Sequence, residues 1–345
     1  MKIYSLVTPG VEDTAKEEIE QLQGNDVILH NSLIEFSCEN PLSMARFSQS
    51  SRRVVIAIGS YDSIKEIQFD CKSSLWKNIS TKSFKVEVEN VKGQENRIDI
   101  SREVIDILLP KMEEAGLEPK IDVKNPEWNI IVFRSDDKYF VGIDLWGELN
   151  SREYRVFPHS ASFKGDVAYN FVKKTKVSKD STLLVGFGKV GTIAIEAALF
   201  LNNKPVNPGL SSWDLFPEVE VKESEVRKVY GFDEGYRNIV ASRKNAKIAG
   251  VYDITEFQKY SLVELDVKYS ENQFDAVILH ITTKDEDKIN EIYYQMKYIL
   301  KSGGYLLLIG RESWTPSVSD KFELVFNENF QKGDSVHKLM LLKKI

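Results

Sequence analysis

Polar and apolar residues alternate in KIYSLV at the start of the chain, and after the turn TPG comes an acidic amphipathic stretch, VEDTAKEEIEQL. Val11, Ala15, Ile19 and Leu22 share one face at helical spacing, and the acids crowd the first turn, where the helix dipole favours them. Gly24 and Asn25 predict its end. DVILHNSLIEFSC predicts two strands around a His30-Asn31-Ser32 turn, and PLSMARFSQSSRRVVIAIGSY a helix followed by a strand. Such mixing within the first 60 residues predicts a small α+β layer.

Another small α/β unit follows, over residues 61–158. SIKEIQFDCKSSLW is helical in part, and SFKVEVENV alternates as a strand. Ser101 is a candidate N-cap for REVIDILLPKMEEA, which Gly116 terminates. PKIDV, WNIIVFRS and KYFVGIDLWG predict three strands, with turns at Asn125-Pro126 and Ser135-Asp136-Asp137. From residue 159 the texture changes. FKGDVAYNFVKKTKV predicts an amphipathic helix, STLLVGF an apolar strand, TIAIEAALFL a helix, KVYGFD a strand and YRNIVASRKNAKIAG a helix closed by Gly250. ITEF, FDAVILHI and YLLLIG are further strands, with a helix over 286–301 between the last two. Near-continuous apolar strands separated by helices predict a doubly wound parallel α/β sheet.

Composition adds little to this outline. Of 345 residues, 42% are hydrophobic and 28% charged, as expected of a water-soluble chain of two or three domains. No apolar run suits a membrane span, and MKIYSLVTPG lacks a signal-peptide pattern. Cys38 and Cys71 are too few for a disulfide framework or a four-thiolate zinc site, so buried thiols and a cytoplasmic location are expected. The net charge of −6 divides into −3 over residues 1–60, −4 over 61–160 and +1 over 161–345. Nucleic acid would therefore have to meet a local basic face.

The strongest local motif is LLVGFGKVGTIAI, an apolar strand, a turn spelling G-x-G-x-x-G at Gly186, Gly188 and Gly191, and a helix. That order suits a nucleotide cofactor at a helix N-terminus, although a tight turn without a ligand uses the same residues. The best acid on the next strand is Asp233, 42 residues beyond Gly191 and able to accept from ribose hydroxyls. That spacing is poor for an NAD-type dehydrogenase, the weakest of the readings.

In its wider setting this motif resembles the THUMP-containing RNA methyltransferases, which include archaeal tRNA guanine-N2 methyltransferases and bacterial ribosomal enzymes. His159, Ala161, Lys164, Phe187, Gly191, Thr192, Ile193, Ile195, Glu196, Ala197 and Ala198 fall in register with that family. VYGFD and the Asn245-Ala246-x-x-Ala249-Gly250-Val251 helix end also match, as does the opening VTPGVEDTAKEEI. The resemblance covers nearly the whole chain. It implies a ferredoxin-like α+β domain over 1–60, a THUMP domain over 61–158 and a Rossmann-fold methyltransferase domain over 159–345. It also implies S-adenosylmethionine as cofactor and tRNA as partner, with no metal.

On the same basis Val185, Phe187, Gly191, Thr192, Asp233 and Ser261 occupy cofactor-contacting positions. Several depart from the family: Val185 replaces an aspartate, Ser261 replaces the acid that meets adenine, and Lys189 and Val190 stand where small residues let the backbone approach the cofactor. The slot of the family's Asn/Asp-Pro-Pro/Leu-Tyr/Phe motif holds His280, Ile281, Thr282 and Thr283. His280 can accept a hydrogen bond, but Thr283 offers no ring to stack a flipped base. His280, Thr282 and Thr283 are thus the catalytic candidates by position. His30, His159 and His337 are scattered along the sequence without metal-ligand spacing.

Phosphate contacts require Lys and Arg on one face, and the candidates are Arg52, Arg53, Lys82, Lys85, Lys92, Arg97, Arg102, Arg152, Arg155 and Lys164. Trp76, Trp128 and Trp146 are expected in the core or at an edge rather than as stacking platforms. Two readings follow: a tRNA-binding methyltransferase using S-adenosylmethionine, or a pseudo-methyltransferase retained as an RNA-binding or scaffolding protein.

Overall fold

The strands pair into two sheets. The computed structural model describes residues 1–221, 225–281, 285–314, 317–333 and 335–345. The chain divides into one unit of Met1–Asn150 with Asn207–Glu220, and a second of Ser151–Val206 with Val221–Ile345.

In the first unit the elements run β1 (Lys2–Val7), α1 (Glu12–Gln21), β2 (Asn25–His30), β3 (Leu33–Ser37), α2 (Pro41–Phe47) and β4 (Ser51–Tyr61). They continue with α3 (Ser74–Ile79), β5 (Ser83–Glu89), α4 (Gln94–Glu114), β6 (Lys120–Ile121), β7 (Trp128–Ser135) and β8 (Lys138–Asp144). Their sheet has the order β2-β3-β1-β4-β8-β7-β5-β6. Residues 1–60 and the segment after them therefore share one sheet, joined where β4 pairs with β8. A buried carboxylate ties α1 to the start of β4. Glu18 accepts from the Ser48 hydroxyl at 2.7 Å and from the backbone N–H groups of Gln49 at 2.8 Å and Ser50 at 2.9 Å. Such a group is tolerated in a core because its lone pairs are satisfied.

Helix α4 differs from expectation. It begins at Gln94, after Gly93 at φ +85°, and not at Ser101. The Ser101 hydroxyl, now in mid-helix, donates to the Val86 carbonyl at 3.2 Å. Only Val104, Leu108 and Met112 of this helix are buried, so its first two turns carry no apolar stripe for sequence reading to detect. PKIDV shrinks to the two paired residues of β6. Trp76 and Trp128 are buried as expected, and the Trp128 indole donates to the Ile79 carbonyl at 3.1 Å.

Residues 207–220, which in sequence fall between the TIAIEAALFL helix and the KVYGFD strand, belong to the first unit. Arg46 donates to the Leu210 carbonyl and to Glu218, both at 2.7 Å, and the Trp146 indole donates to the Ser211 carbonyl at 2.9 Å.

The second unit contains α5 (Gly165–Lys174), β9 (Leu183–Gly186), α6 (Thr192–Leu201), β10 (Val229–Phe232), α7 (Tyr236–Ile248) and β11 (Thr255–Gln258). After these come α8 (Leu265–Lys268), β12 (Phe274–His280), α9 (Glu286–Ile299), β13 (Leu300–Arg311), β14 (Phe322–Lys332) and β15 (Ser335–Lys344). The sheet order is β11-β10-β9-β12-β13-β15-β14, parallel from β11 to β13 and closed by an antiparallel hairpin. The apolar runs of β9 and β12 are buried throughout, as a sheet covered on both faces requires. Sequence reading leaves that hairpin unassigned, because β14 is largely exposed and lacks a clear apolar rhythm.

Candidate functional site

Strand β9 ends at Gly186, where a Cβ would lie 2.4 Å from side-chain atoms of both Leu279 and Phe232. Glycine is therefore required by packing. Beyond it the backbone visits the left-handed region at alternate residues: Phe187 at φ +55°, Lys189 at +56° and Gly191 at +81°. Gly191 caps α6, and a Cβ there would meet Ser242 at 2.9 Å. The Phe187 ring packs edge-on against Phe232, and its N–H donates to the Phe232 carbonyl at 2.9 Å.

The turn is held from behind by Asn245. Its amide donates to the Val190 carbonyl at 3.1 Å and to the Phe157 carbonyl at 3.2 Å, while its oxygen accepts from the Phe157 N–H at 3.1 Å. This accounts for the asparagine in the Asn-Ala-x-x-Ala-Gly-Val stretch. Ser242 adds a bond from its hydroxyl to the Lys189 carbonyl at 3.1 Å.

Asp233 follows β10 on the same edge of the sheet. Its Oδ1 accepts from the Gly235 N–H and the Asn238 amide, both at 2.8 Å, but its Oδ2 is buried and has no partner among the described residues. Thr192 Oγ1 at the helix start is likewise buried and unpartnered. An unsatisfied buried acceptor is costly, and the ribose hydroxyls of a nucleoside are donors that would satisfy it. The pocket that Val185, Lys189, Gly191, Asp233 and Phe257 help to line has a volume of about 10 Å³, enough for about one water. Val185 contributes no acceptor. Ser261 is not part of this wall: its hydroxyl and N–H both donate to Glu264 at 2.7 Å, capping the turn that leads into α8.

At the end of β12, His280 is 7% exposed. Its ring lies 5.2 Å from Phe163 and 6.2 Å from His337, centroid to centroid. Burial lowers its pKa to about 3, assisted by the charges of His337, Lys189, Lys332 and His159, so the imidazole is neutral across the physiological range. His280 and His337, far apart in sequence, thus meet at this end of the sheet. The other two catalytic candidates, Thr282 and Thr283, lie outside the described residues.

Three RNA-facing candidates are corrected. Arg152 and Glu196 pair at 2.8 Å with no exposure of either side chain, and the Tyr154 hydroxyl donates to the same carboxylate at 2.6 Å. Arg53 is buried between Asp144, Glu89 at 3.0 Å and Glu87 at 3.3 Å. Arg52 is turned toward Glu89 and Glu148. The Arg152 and Arg53 guanidiniums neutralise internal carboxylates and have no face to offer a phosphate, and Arg52, half-buried, is committed to its two glutamates. Lys85 pairs with Glu87 at 3.4 Å, Lys82 stands 4.1 Å over the Trp213 ring, and Arg155 donates to the Ser162 hydroxyl at 3.1 Å. Lys92, Arg97, Arg102 and Lys164 are exposed.

Residues 61–144 match the THUMP domain, and residues 152–313 match the family described as RMKL-like, methyltransferase domain. The chain thus carries a THUMP domain followed by an RMKL-like methyltransferase domain. Among its relatives, the tRNA (guanine(6)-N2)-methyltransferase of Archaeoglobus fulgidus is 28% identical over 286 residues, covering 78% of this chain and 72% of the relative. The protein of the same name from Methanocaldococcus jannaschii is 25% identical over 304 residues, 79% of each chain. The fold is shared with TrmN from Thermus thermophilus, at a TM-score of 0.74 and 16% identity over 100% of this chain and 99% of that one. A possible methylase from Clostridium difficile 630 superposes with a TM-score of 0.77 at 20% identity, over 100% and 98%. Among the described residues no helix is long and apolar enough to cross a membrane.

Proposed function

We propose that this THUMP methyltransferase-family protein binds tRNA and holds the adenosyl moiety of S-adenosylmethionine at the glycine-rich turn, acting on a guanine N2 amine. The observation that carries the cofactor reading is Asp233 Oδ2, a buried acceptor without a donor at the edge of the sheet where such folds bind nucleosides. The tRNA reading rests on the THUMP match and on the names of the archaeal relatives.

When bound, the cofactor supplies an electrophilic methyl group on its sulfonium. Within the chain, Asp233 would accept from the ribose hydroxyls while the N-terminus of α6 meets the bound molecule. His280, neutral at the end of β12, offers a ring nitrogen that can accept an amine N–H and so orient the nitrogen lone pair. The family acid and one close-approach position are replaced by Val185 and Lys189, and the pocket is about 10 Å³. Lys189 must therefore swing aside for the ligand to enter.

The second reading is a protein that binds tRNA and transfers nothing. Calorimetry with S-adenosylhomocysteine, followed by transfer of labelled methyl groups to unmodified tRNA, separates the two. The first reading expects saturable binding weakened in Asp233→Asn, with label on a guanine amine. Absence of binding up to millimolar ligand, with tRNA still bound, leaves the second reading in its place.

A further inference from the structure

The second unit has an opening well beyond the small pocket beneath the glycine-rich turn. It is a cavity of about 660 Å³ at the end of the sheet where β12 and β13 finish, lined in part by His280, Arg311, Lys332 and His337. Its construction depends on the closing hairpin. Antiparallel register sets Arg311 opposite His337, and Lys332 opposite Ser335 two residues before that histidine. The end of β12 meets the same edge, where the Ile281 N–H donates to the Ile309 carbonyl at 2.7 Å.

The lining is rich in cations that make no ion pair among the described residues. Arg311 is exposed and makes no ion pair among the described residues. Lys332 is half-buried, and among the described residues its ammonium reaches the Ser160 carbonyl at 3.3 Å and the Phe163 ring at 4.7 Å. Burial, and then the Arg155 guanidinium, lower its pKa, as expected where positive charges outnumber acids. One acid, Glu312, is on the wall and is exposed. His337 Nδ1 is buried with no hydrogen-bond partner among the described residues, while the ring also meets the Gly310 backbone. Burial, together with Lys332 and Arg311, also lowers the pKa of this imidazole.

We infer that this cavity is a phosphate pocket for a nucleotide, with Arg311 and Lys332 as counter-charges and the two imidazoles as hydrogen-bonding partners. Its volume lies in the range of small-ligand sites, about 300–1,000 Å³. A guanidinium fork and a partly desolvated ammonium on one wall are the groups that hold phosphate oxygens. The phosphate can come from a free mononucleotide or from the phosphodiester of an RNA strand. The strand source alone rests on the tRNA reading above, and it places the phosphate beside the target nucleotide rather than on the THUMP unit.

The test is calorimetry of the full chain, without any S-adenosyl ligand, using guanosine, GMP and a guanosine trinucleotide lacking terminal phosphates. A charge-assisted pocket should bind a phosphate-bearing probe roughly tenfold or more tighter than guanosine. Arg311→Gln and Lys332→Gln should each remove most of that difference, with melting temperatures checked. Tighter binding of GMP identifies a mononucleotide, and tighter binding of the trinucleotide identifies a strand. In parallel, the His337 ring resonances should shift on addition of the tighter probe to the unaltered protein. Guanosine binding as tightly as both phosphate probes, undiminished affinity in both variants, or an unmoved His337 overturns the inference. Methyl transfer plays no part in any arm, so its failure would leave the result intact.

Discussion

The Arg152 guanidinium and the Glu196 carboxylate form an ion pair with neither side chain exposed, Nε to Oε1 at 2.8 Å and Nη2 to Oε2 at 3.2 Å. The pair joins the segment entering the second unit to the middle of α6, and the Tyr154 hydroxyl completes it. Removing one partner strands the other charge in the core. Arg152→Ala is expected to destabilise the protein by about 3–5 kcal/mol, as is usual when a buried pair is broken. Urea denaturation measures it. A loss below about 1 kcal/mol would show that the pair is not structural.

Asp233 should behave in the opposite way. Its Oδ2 has no partner among the described residues, so Asp233→Asn removes a charge without breaking a bond to that atom. Stability is expected to change little. Affinity for S-adenosylhomocysteine should fall roughly 10- to 100-fold, the worth of one charge-assisted hydrogen bond. Equal affinity of variant and parent in calorimetry would remove Asp233 from the site.

Lys189 sits at φ +56° and lines the small pocket beneath the turn. Glycine at this position relieves about 1 kcal/mol of left-handed strain and costs about 0.5–1 kcal/mol in chain entropy, so the two effects nearly cancel. Lys189→Gly should therefore melt within a few degrees of the parent. Clearing the side chain should tighten S-adenosylhomocysteine binding by about tenfold, or 1.4 kcal/mol. Weaker binding would mean that the ammonium serves the ligand.

Charge neutralisation should separate surface cations from internal ones. Lys92, Arg97 and Arg102 are exposed around the start of α4, whereas Arg53 is buried among three carboxylates. Replacing the exposed three with Gln should leave the fold unchanged. The salt dependence of tRNA binding should then flatten by about 1 per residue that meets a phosphate. An unchanged slope places the RNA elsewhere. Arg53→Ala is expected to lower the melting temperature whatever it does to RNA binding.

His280 carries a pH signature. Its folded pKa is lowered from 6.5 to about 3 by burial, with His337, Lys189, Lys332 and His159 adding repulsion. Between those values the unfolded chain binds the proton and the folded chain does not, so this group's stabilising contribution is present above pH 6.5 and is lost as the pH falls toward 3. NMR should show no titration of its ring from pH 8 to 5, and His280→Asn should weaken the loss of stability over that interval. A ring midpoint near 6.5 would contradict its burial.

Local signals carried much of this protein. The order of strands and helices is legible because strand alternation, helical periodicity and glycine stops each act over a few residues. The glycine-rich turn and Asp233 are legible for the same reason, since a strand edge followed by a helix N-terminus is written in adjacent residues. Ser261 looked like a cofactor contact by alignment, yet Glu264 claims it. Arg152 looked like a phosphate ligand because nothing near it in sequence marks Glu196 as its partner. Arg311, Lys332 and His337 carried no motif at all, and hairpin register alone brings them to one cavity. Composition and local pattern thus determined which elements form and in what order. Tertiary structure decided which charges are neutralised and which face a cavity, because that depends on contacts between segments far apart in the chain.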